Sequence, residues 1–128
     1  MDANKGTENP MQTDQLINLV HSALEDMKAR DVATLNVTGK SSVTDYMVVA
    51  SGTSKRHVMS VAQEVIEKVK EQGVLPVGVE GQGVGDWVLV DLGDVVVHVM
   101  MPDARSFYDI ERLWSFDDES EDAAADND

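Results

Sequence analysis

The stretch Val77–Met101, VGVEGQGVGDWVLVDLGDVVVHVMM, decides the fold, because it is the longest run in the chain that reads as continuous sheet. At its centre two β-branched-rich runs, Trp87–Leu92 and Val95–Met101, are separated by Gly93-Asp94, a pair suited to a two-residue hairpin turn that needs positive φ. Placing Leu92 opposite Val95 sets Val90 against Val97 and Val88 against Val99, so one face of the hairpin is wholly aliphatic and calls for a covering layer of helices. The other face carries the pairs Asp91/Val96, Leu89/His98 and Trp87/Met100. An aromatic ring, a thioether, an imidazole and a carboxylate on one surface can meet either a second layer or another molecule.

Outward from the hairpin, the segments before it supply that layer. Leu16, Leu19, Val20, Ala23, Leu24 and Met27 recur at helical spacing, predicting a helix over Asp14–Arg30 capped by Thr13, with Lys28 and Arg30 in its last turn. Val32–Val37 alternates as a strand with one wet face, near a sheet edge, and Thr44–Ser51 reads as an interior strand. Gly52-Thr53-Ser54 reads as a turn with the N-cap of a helix whose stripe is Val58, Val61, Ala62, Val65, Ile66 and Val69, ended by Gly73. A strand from Val77 then completes a βαβ crossover with parallel strands. Pro102 can open a last helix running to Trp114. The order αββαβββα describes an α/β domain, a mixed five-stranded sheet with three helices.

The 128 residues suffice for one domain that buries about two-thirds of its unfolded surface. Residues 13–116 are expected to form it, with a flexible arm over 1–12 and a disordered acidic tail over 117–128. Cysteine is absent, which excludes a disulfide framework and thiol chemistry and suits a reducing compartment. The first residues lack the basic start and apolar core of a signal peptide, and no run is long enough to span a membrane, so the expected location is the cytoplasm. The net charge is −14. Seven acids and no base fall in Asp117–Asp128, which leaves 17 acids against ten bases before it. Such a balance argues against docking on phosphate backbones and suits a basic partner protein, or solubility alone.

Motifs for chemistry are weak. Gly39-Lys40-Ser41 ends like a P-loop, but the first glycine of that pattern would fall at Thr34 inside a strand, and a strand follows where a helix should open. The glycines of Gly81-Gln82-Gly83-Val84-Gly85 have the wrong spacing for a dinucleotide fingerprint and read as a mobile sheet connection. Asp45, Asp91 and Asp94 could be drawn as a carboxylate metal site, although Asp91 and Asp94 flank a turn that favours aspartate for local reasons. His21, His57 and His98 lack ligand spacing, and no GxSxG elbow occurs. No catalytic residue, metal site or cofactor is expected. Trp87 and Met100, sharing a face with Asp91 and His98, have instead the composition of a protein interface, with Arg105 and Tyr108 following shortly after.

Longer strings carry more. Asp45-Tyr46-Met47-Val48-Val49-Ala50-Ser51-Gly52-Thr53-Ser54, Arg56-His57-Val58, Gly78-Val79-Glu80-Gly81, Asp86-Trp87, Asp91-Leu92-Gly93-Asp94, Val97-His98-Val99-Met100 and Tyr108-Asp109-Ile110-Glu111-Arg112-Leu113-Trp114 closely resemble the bacterial ribosomal silencing factors of the RsfS (Iojap) family. The match runs from about Asp14 to Ser115 with the motifs in order. This resemblance implies a non-enzymatic regulator that binds the large ribosomal subunit through the protein uL-fourteen (L-fourteen), blocks docking of the small subunit and lowers translation when nutrients run short. It also implies an α/β fold similar to nucleotidyltransferases without their catalytic Gly-Ser and paired-Asp pattern. The interface residues it implies are Trp87, Leu89, Asp91, Asp94, His98, Met100, Arg105 and Tyr108, with little direct nucleic-acid contact. Two alternatives remain: a Mg²⁺-dependent nucleotidyltransferase using Asp45, Asp91 and Asp94, and a homodimeric scaffold whose self-interface is the mixed face. A homodimer of the free protein is compatible with the leading reading as well.

Overall fold

In the computed structural model the hairpin forms as its sequence dictates. Strands β4 (Trp87–Asp91) and β5 (Val95–Met100) pair antiparallel with Val88 opposite Val99, Val90 opposite Val97, Leu89 opposite His98 and Trp87 opposite Met100. The turn closes with Leu92 N–H donating to Val95 O at 2.9 Å, and Gly93 takes φ of 93° at no steric cost. The structure describes residues 11–114. The expected tail over 117–128 and all but the last two residues of the expected arm lie outside them.

The five strands are ordered β1-β2-β5-β4-β3, where β1 is Arg30–Asn36, β2 is Tyr46–Ser51 and β3 is Gly78–Glu80. β2 and β5 lie parallel at the centre, and the β1/β2 and β3/β4 pairs are antiparallel, so the sheet is mixed. β2 and β3 point the same way, as a crossover requires, but β5 and β4 stand between them. Helices α1 (Thr13–Asp26) and α2 (Lys55–Glu71) cover the aliphatic face. Their Leu16, Val20, Leu24, Val58, Val61, Val65 and Val69 close on Val48, Ala50, Val88, Val90, Val97 and Val99 in one core. All thirteen are at most 1% exposed. At about 25 cal/mol per Å² this burial is the main stabilising term. The third helix, α3 (Pro102–Tyr108), opens with proline and buries none of its residues completely.

Helix ends correct several expectations. α1 is capped by Gln12, whose N–H donates to Gln15 Oε1 at 3.1 Å, and the partly buried Met11 packs on the core. Thr13 lies one residue inside, and its hydroxyl donates to Asp94 Oδ2 at 3.1 Å. The same helix stops at Asp26, before Lys28 and Arg30. Lys28 takes φ of 58°, Ala29 N–H returns to Leu24 O at 2.9 Å and Lys28 N–H to Glu25 O at 3.0 Å, which satisfies the terminal carbonyls without a glycine. Arg30 thereby begins the edge strand β1, which carries a bulge at Asp31 (φ 51°). α2 behaves as read. Ser54 Oγ accepts from His57 N–H, and Gly73 follows its end at φ 85°.

The Gly81–Gly85 segment, expected to be a mobile sheet connection, forms a hydrogen-bonded turn that is exposed except at Gly85. Gly81 and Gly85 have φ of 88° and 87°, and both Val84 and Gly85 N–H donate to Gly81 O. A Cβ on Gly81 would stand 2.1 Å from Trp87 O. The last helix is also shorter than the reading to Trp114. It breaks at Asp109, which adopts φ 51°, ψ 46°, and a separate helical turn covers 110–114. Aspartate tolerates this left-handed conformation better than most residues, so a continuous apolar pattern does not guarantee a continuous helix.

Candidate docking face

Strand alternation sends Met47, Val49 and Ser51 of β2, Val96, His98 and Met100 of β5, and Trp87, Leu89 and Asp91 of β4 to the face away from α1 and α2. None of these residues belongs to the main core. The rows on the inner strands are nevertheless shielded by their neighbours: Val49 and Met100 are 0% exposed, His98 4% and Val96 7%. Trp87, Leu89 and Asp91 on β4 remain half-buried.

At the end of the hairpin away from its turn, aromatic rings gather. The Trp87 ring lies 4.8 Å from that of Tyr108, and Tyr108 meets the edge of Phe107 at 4.9 Å, centroid to centroid. Trp87 also lies 5.8 Å from the His98 imidazole, and Trp87 Nε1–H donates to His98 Nδ1 at 2.9 Å. His98 is therefore neutral, with its proton on Nε2. Burial lowers its pKa to about 4. Tyr108 is 54% exposed and Phe107 80%, so the aromatic group projects into solvent. Beside it Tyr108, Asp109, Arg112 and Leu113 line an open cleft of about 330 Å³.

Arg105 ties this group to the sheet. Its Nε–H and one Nη2–H donate to the two Glu111 oxygens at 2.7 and 2.9 Å, and Nη1–H donates to Ser51 Oγ at 2.8 Å. The guanidinium is almost covered, and its bonds to Glu111 hold that carboxyl below its usual pKa against the opposing effect of burial.

Of the eight residues expected at an interface, the structure brings five together at one end: Trp87, His98, Met100, Arg105 and Tyr108. Only Trp87 and Tyr108 of these reach the surface appreciably. Met100 is wholly buried, His98 nearly so and Arg105 is committed to Ser51 and Glu111, so these three, expected at an interface, offer little or no exposed surface. Leu89 and Asp91 continue the face along β4 toward the turn, roughly 13 Å from Trp87 to Asp91 at 3.3 Å per residue. Asp94 is separated from the group. Its carboxylate accepts from Thr13 on α1, and its backbone oxygen accepts from Asp45 and Tyr46 N–H, so it serves the junction of α1, β2 and the hairpin turn. Asp91 Oδ1 likewise accepts from Gly93 N–H at 2.9 Å, a local turn bond. Among the described residues no group of three or more His, Asp and Glu could hold a metal ion. Asp45, Asp91 and Asp94 do not converge on such a site.

Sequence reasoning passed over Phe107, Asp109, Arg112 and Leu113. Within an unbroken helix Leu113 would be an ordinary apolar position. The break at Asp109 instead turns it onto the cleft, where it is 60% exposed. The available signal was the aspartate directly after Phe107-Tyr108, a residue able to adopt the left-handed conformation that ends α3.

Among the described residues no helix is long and apolar enough to cross a membrane. The family model described as "Ribosomal silencing factor during starvation", RsfS, matches residues 10–128. The chain is 44% identical over 108 residues to the ribosomal silencing factor RsfS of Zymomonas mobilis, covering 84% of this chain and 81% of that one. A crystal structure of a protein from Chromobacterium violaceum superposes with a TM-score of 0.81 at 48% identity, over 82% of this chain and 88% of that chain. A mouse protein named "Mitochondrial assembly of ribosomal large subunit protein 1" is 36% identical over 115 residues, 85% of this chain and 50% of its own length. Sequence, fold and family match agree along the same span, and the chain belongs to the RsfS family of ribosomal silencing factors.

Proposed function

We propose that this chain silences ribosomes by docking on the large subunit through the protein uL-fourteen (L-fourteen) and excluding the small subunit by bulk. The observation that carries the proposal is the half-exposed, tilted Trp87–Tyr108 ring pair on the sheet face that α1 and α2 leave uncovered. Its solvent-facing members are Trp87, Leu89 and Tyr108, extended by Phe107, Leu113 and the cleft beside Tyr108. Aromatic side chains around an apolar centre with a polar rim concentrate binding energy at a protein interface. The acidic balance of the chain favours a basic protein over RNA as the principal contact and speeds encounter with it. We place the protein in the cytoplasm on the same reading, with residues 13–116 as the docking domain. The mouse relative's name, which refers to the ribosomal large subunit, supports the same subunit here.

The test is co-sedimentation of the purified protein with large subunits, followed by a subunit-joining assay. Trp87→Ala is expected to weaken large-subunit binding by about 1–3 kcal/mol and to relieve the block on joining, with its folded circular-dichroism spectrum retained. A folded Trp87→Ala protein that still blocks joining at wild-type concentrations removes this face from the mechanism.

A further inference from the structure

We propose that His98 is a positioning residue for the docking face: it fixes the Trp87 indole through the Nε1–H to Nδ1 hydrogen bond and does not itself touch the partner. This inference rests on the proposed docking role of Trp87. Its starting point is a polar group placed where none is needed for packing. His98 sits on the central strand β5, 4% exposed, with Val49 of β2 and Leu89 of β4 as its cross-strand neighbours. An aliphatic side chain would satisfy such a site without leaving a polar atom behind. The imidazole instead brings two nitrogens, and among the described residues only Nδ1 finds a partner. Nε2, which carries the proton because Nδ1 accepts, is buried with no hydrogen-bond partner among the described residues. An unpaired buried donor is a cost that stability alone selects against.

What the imidazole supplies is a fixed acceptor at the edge of Trp87. Trp87 as a whole is half-buried, and its indole N–H points to this side chain rather than to a backbone carbonyl. The bond from His98 and the contact with the Tyr108 ring at 4.8 Å together restrain the indole to one orientation. A ring immobilised before docking loses less conformational freedom on binding, which strengthens association without adding any contact. A merely structural histidine and a positioning histidine thus predict opposite outcomes on removal, because the first stabilises the fold and the second burdens it.

The experiment compares His98→Leu and His98→Asn in the full chain by thermal unfolding, by the Trp87 indole N–H resonance and its solvent exchange, and by binding to large subunits. His98→Leu is expected to melt at or above the wild-type temperature, to expose the indole N–H to faster exchange and to bind about tenfold more weakly. His98→Asn, whose side-chain oxygen can accept near the Nδ1 position, is expected to restore slow exchange and most of the binding. Should His98→Leu fail to fold, Trp87→Phe keeps a ring and deletes the donor, and it is expected to bind about tenfold more weakly at unchanged folding. Wild-type binding by folded His98→Leu or by Trp87→Phe overturns the inference. So does a parallel loss of melting temperature and binding in His98→Leu with no rescue by asparagine. Failure of the wild-type protein itself to bind large subunits overturns the docking reading, whereas exchange of the indole N–H still reports separately whether His98 restrains Trp87.

Discussion

Arg105 grips Glu111 across the helix break at Asp109, with two nearly parallel bonds of 2.7 and 2.9 Å, while a third bond reaches Ser51 at the end of the central strand β2. One side chain therefore joins the sheet, α3 and the turn over 110–114, the three pieces that surround Tyr108. Arg105→Ala is expected to cost about 1.5–3 kcal/mol of stability, the range for charge-assisted bonds in a partly desolvated site. Arg105→Lys should recover little, since an ammonium cannot reproduce the two-pronged geometry. Urea denaturation measures both, and equal stability of the alanine variant and wild type would show that the tether contributes nothing.

Acid sensitivity follows from His98 and Glu111. The folded pKa of His98, about 4, lies below its ordinary 6.5, so the unfolded chain takes up the proton first as pH falls. The neutral, buried imidazole therefore costs no stability to protonation above about pH 6.5, and the fold is progressively weakened as pH drops from there through about 4, by about 3 kcal/mol in all. Glu111 acts in the same direction at lower pH. Its depressed folded pKa contributes stability above 4.5 that disappears as the carboxylate is protonated. Urea midpoints between pH 7 and pH 4 should fall for wild type and stay flatter for His98→Leu, and parallel profiles would contradict the assignment.

Gly81 is the position least able to accept a side chain. Its φ of 88° is strained for L-residues, and a Cβ there would collide with the Trp87 carbonyl, which is backbone and cannot swing aside. Gly81→Ala is expected to destabilise by about 2–4 kcal/mol and to disturb the start of β4, where Trp87 stands. Chemical denaturation together with Trp87 fluorescence checks both parts, and an unchanged midpoint would refute the close approach.

Lys28 offers the opposite change. It terminates α1 at φ 58°, a conformation glycine adopts without penalty. Lys28→Gly should therefore raise stability by about 0.5–1 kcal/mol, offset in part by the greater freedom of glycine in the unfolded chain. A lower melting temperature would show that the lysine side chain contributes more than its backbone strain costs.

Much of the architecture was legible because it rests on local patterns. The Val88/Val90/Val97/Val99 alternation, the Gly93-Asp94 turn and the aliphatic stripes of α1 and α2 specify strand register and buried face from side-chain period alone. The helix ends were less legible. Lys28 and Asp109 take left-handed conformations that other residues fill more often, and Gln12 caps α1 where Thr13 was the more typical choice. The close approach of Gly81 to the Trp87 carbonyl was not legible either, because it arises from chain segments brought together by the fold.

The candidate site divides the same way. Residue order determined that Trp87, Leu89, Asp91, His98 and Met100 share the face opposite the valines, since alternation along a strand is local geometry. Only the tertiary structure decided which of them reach solvent. Neighbouring strands seal Met100 and His98, Ser51 and Glu111 engage Arg105, and Thr13 draws Asp94 away toward α1. Exposure depends on what the rest of the chain lays over a side chain, a long-range property that periodicity does not encode.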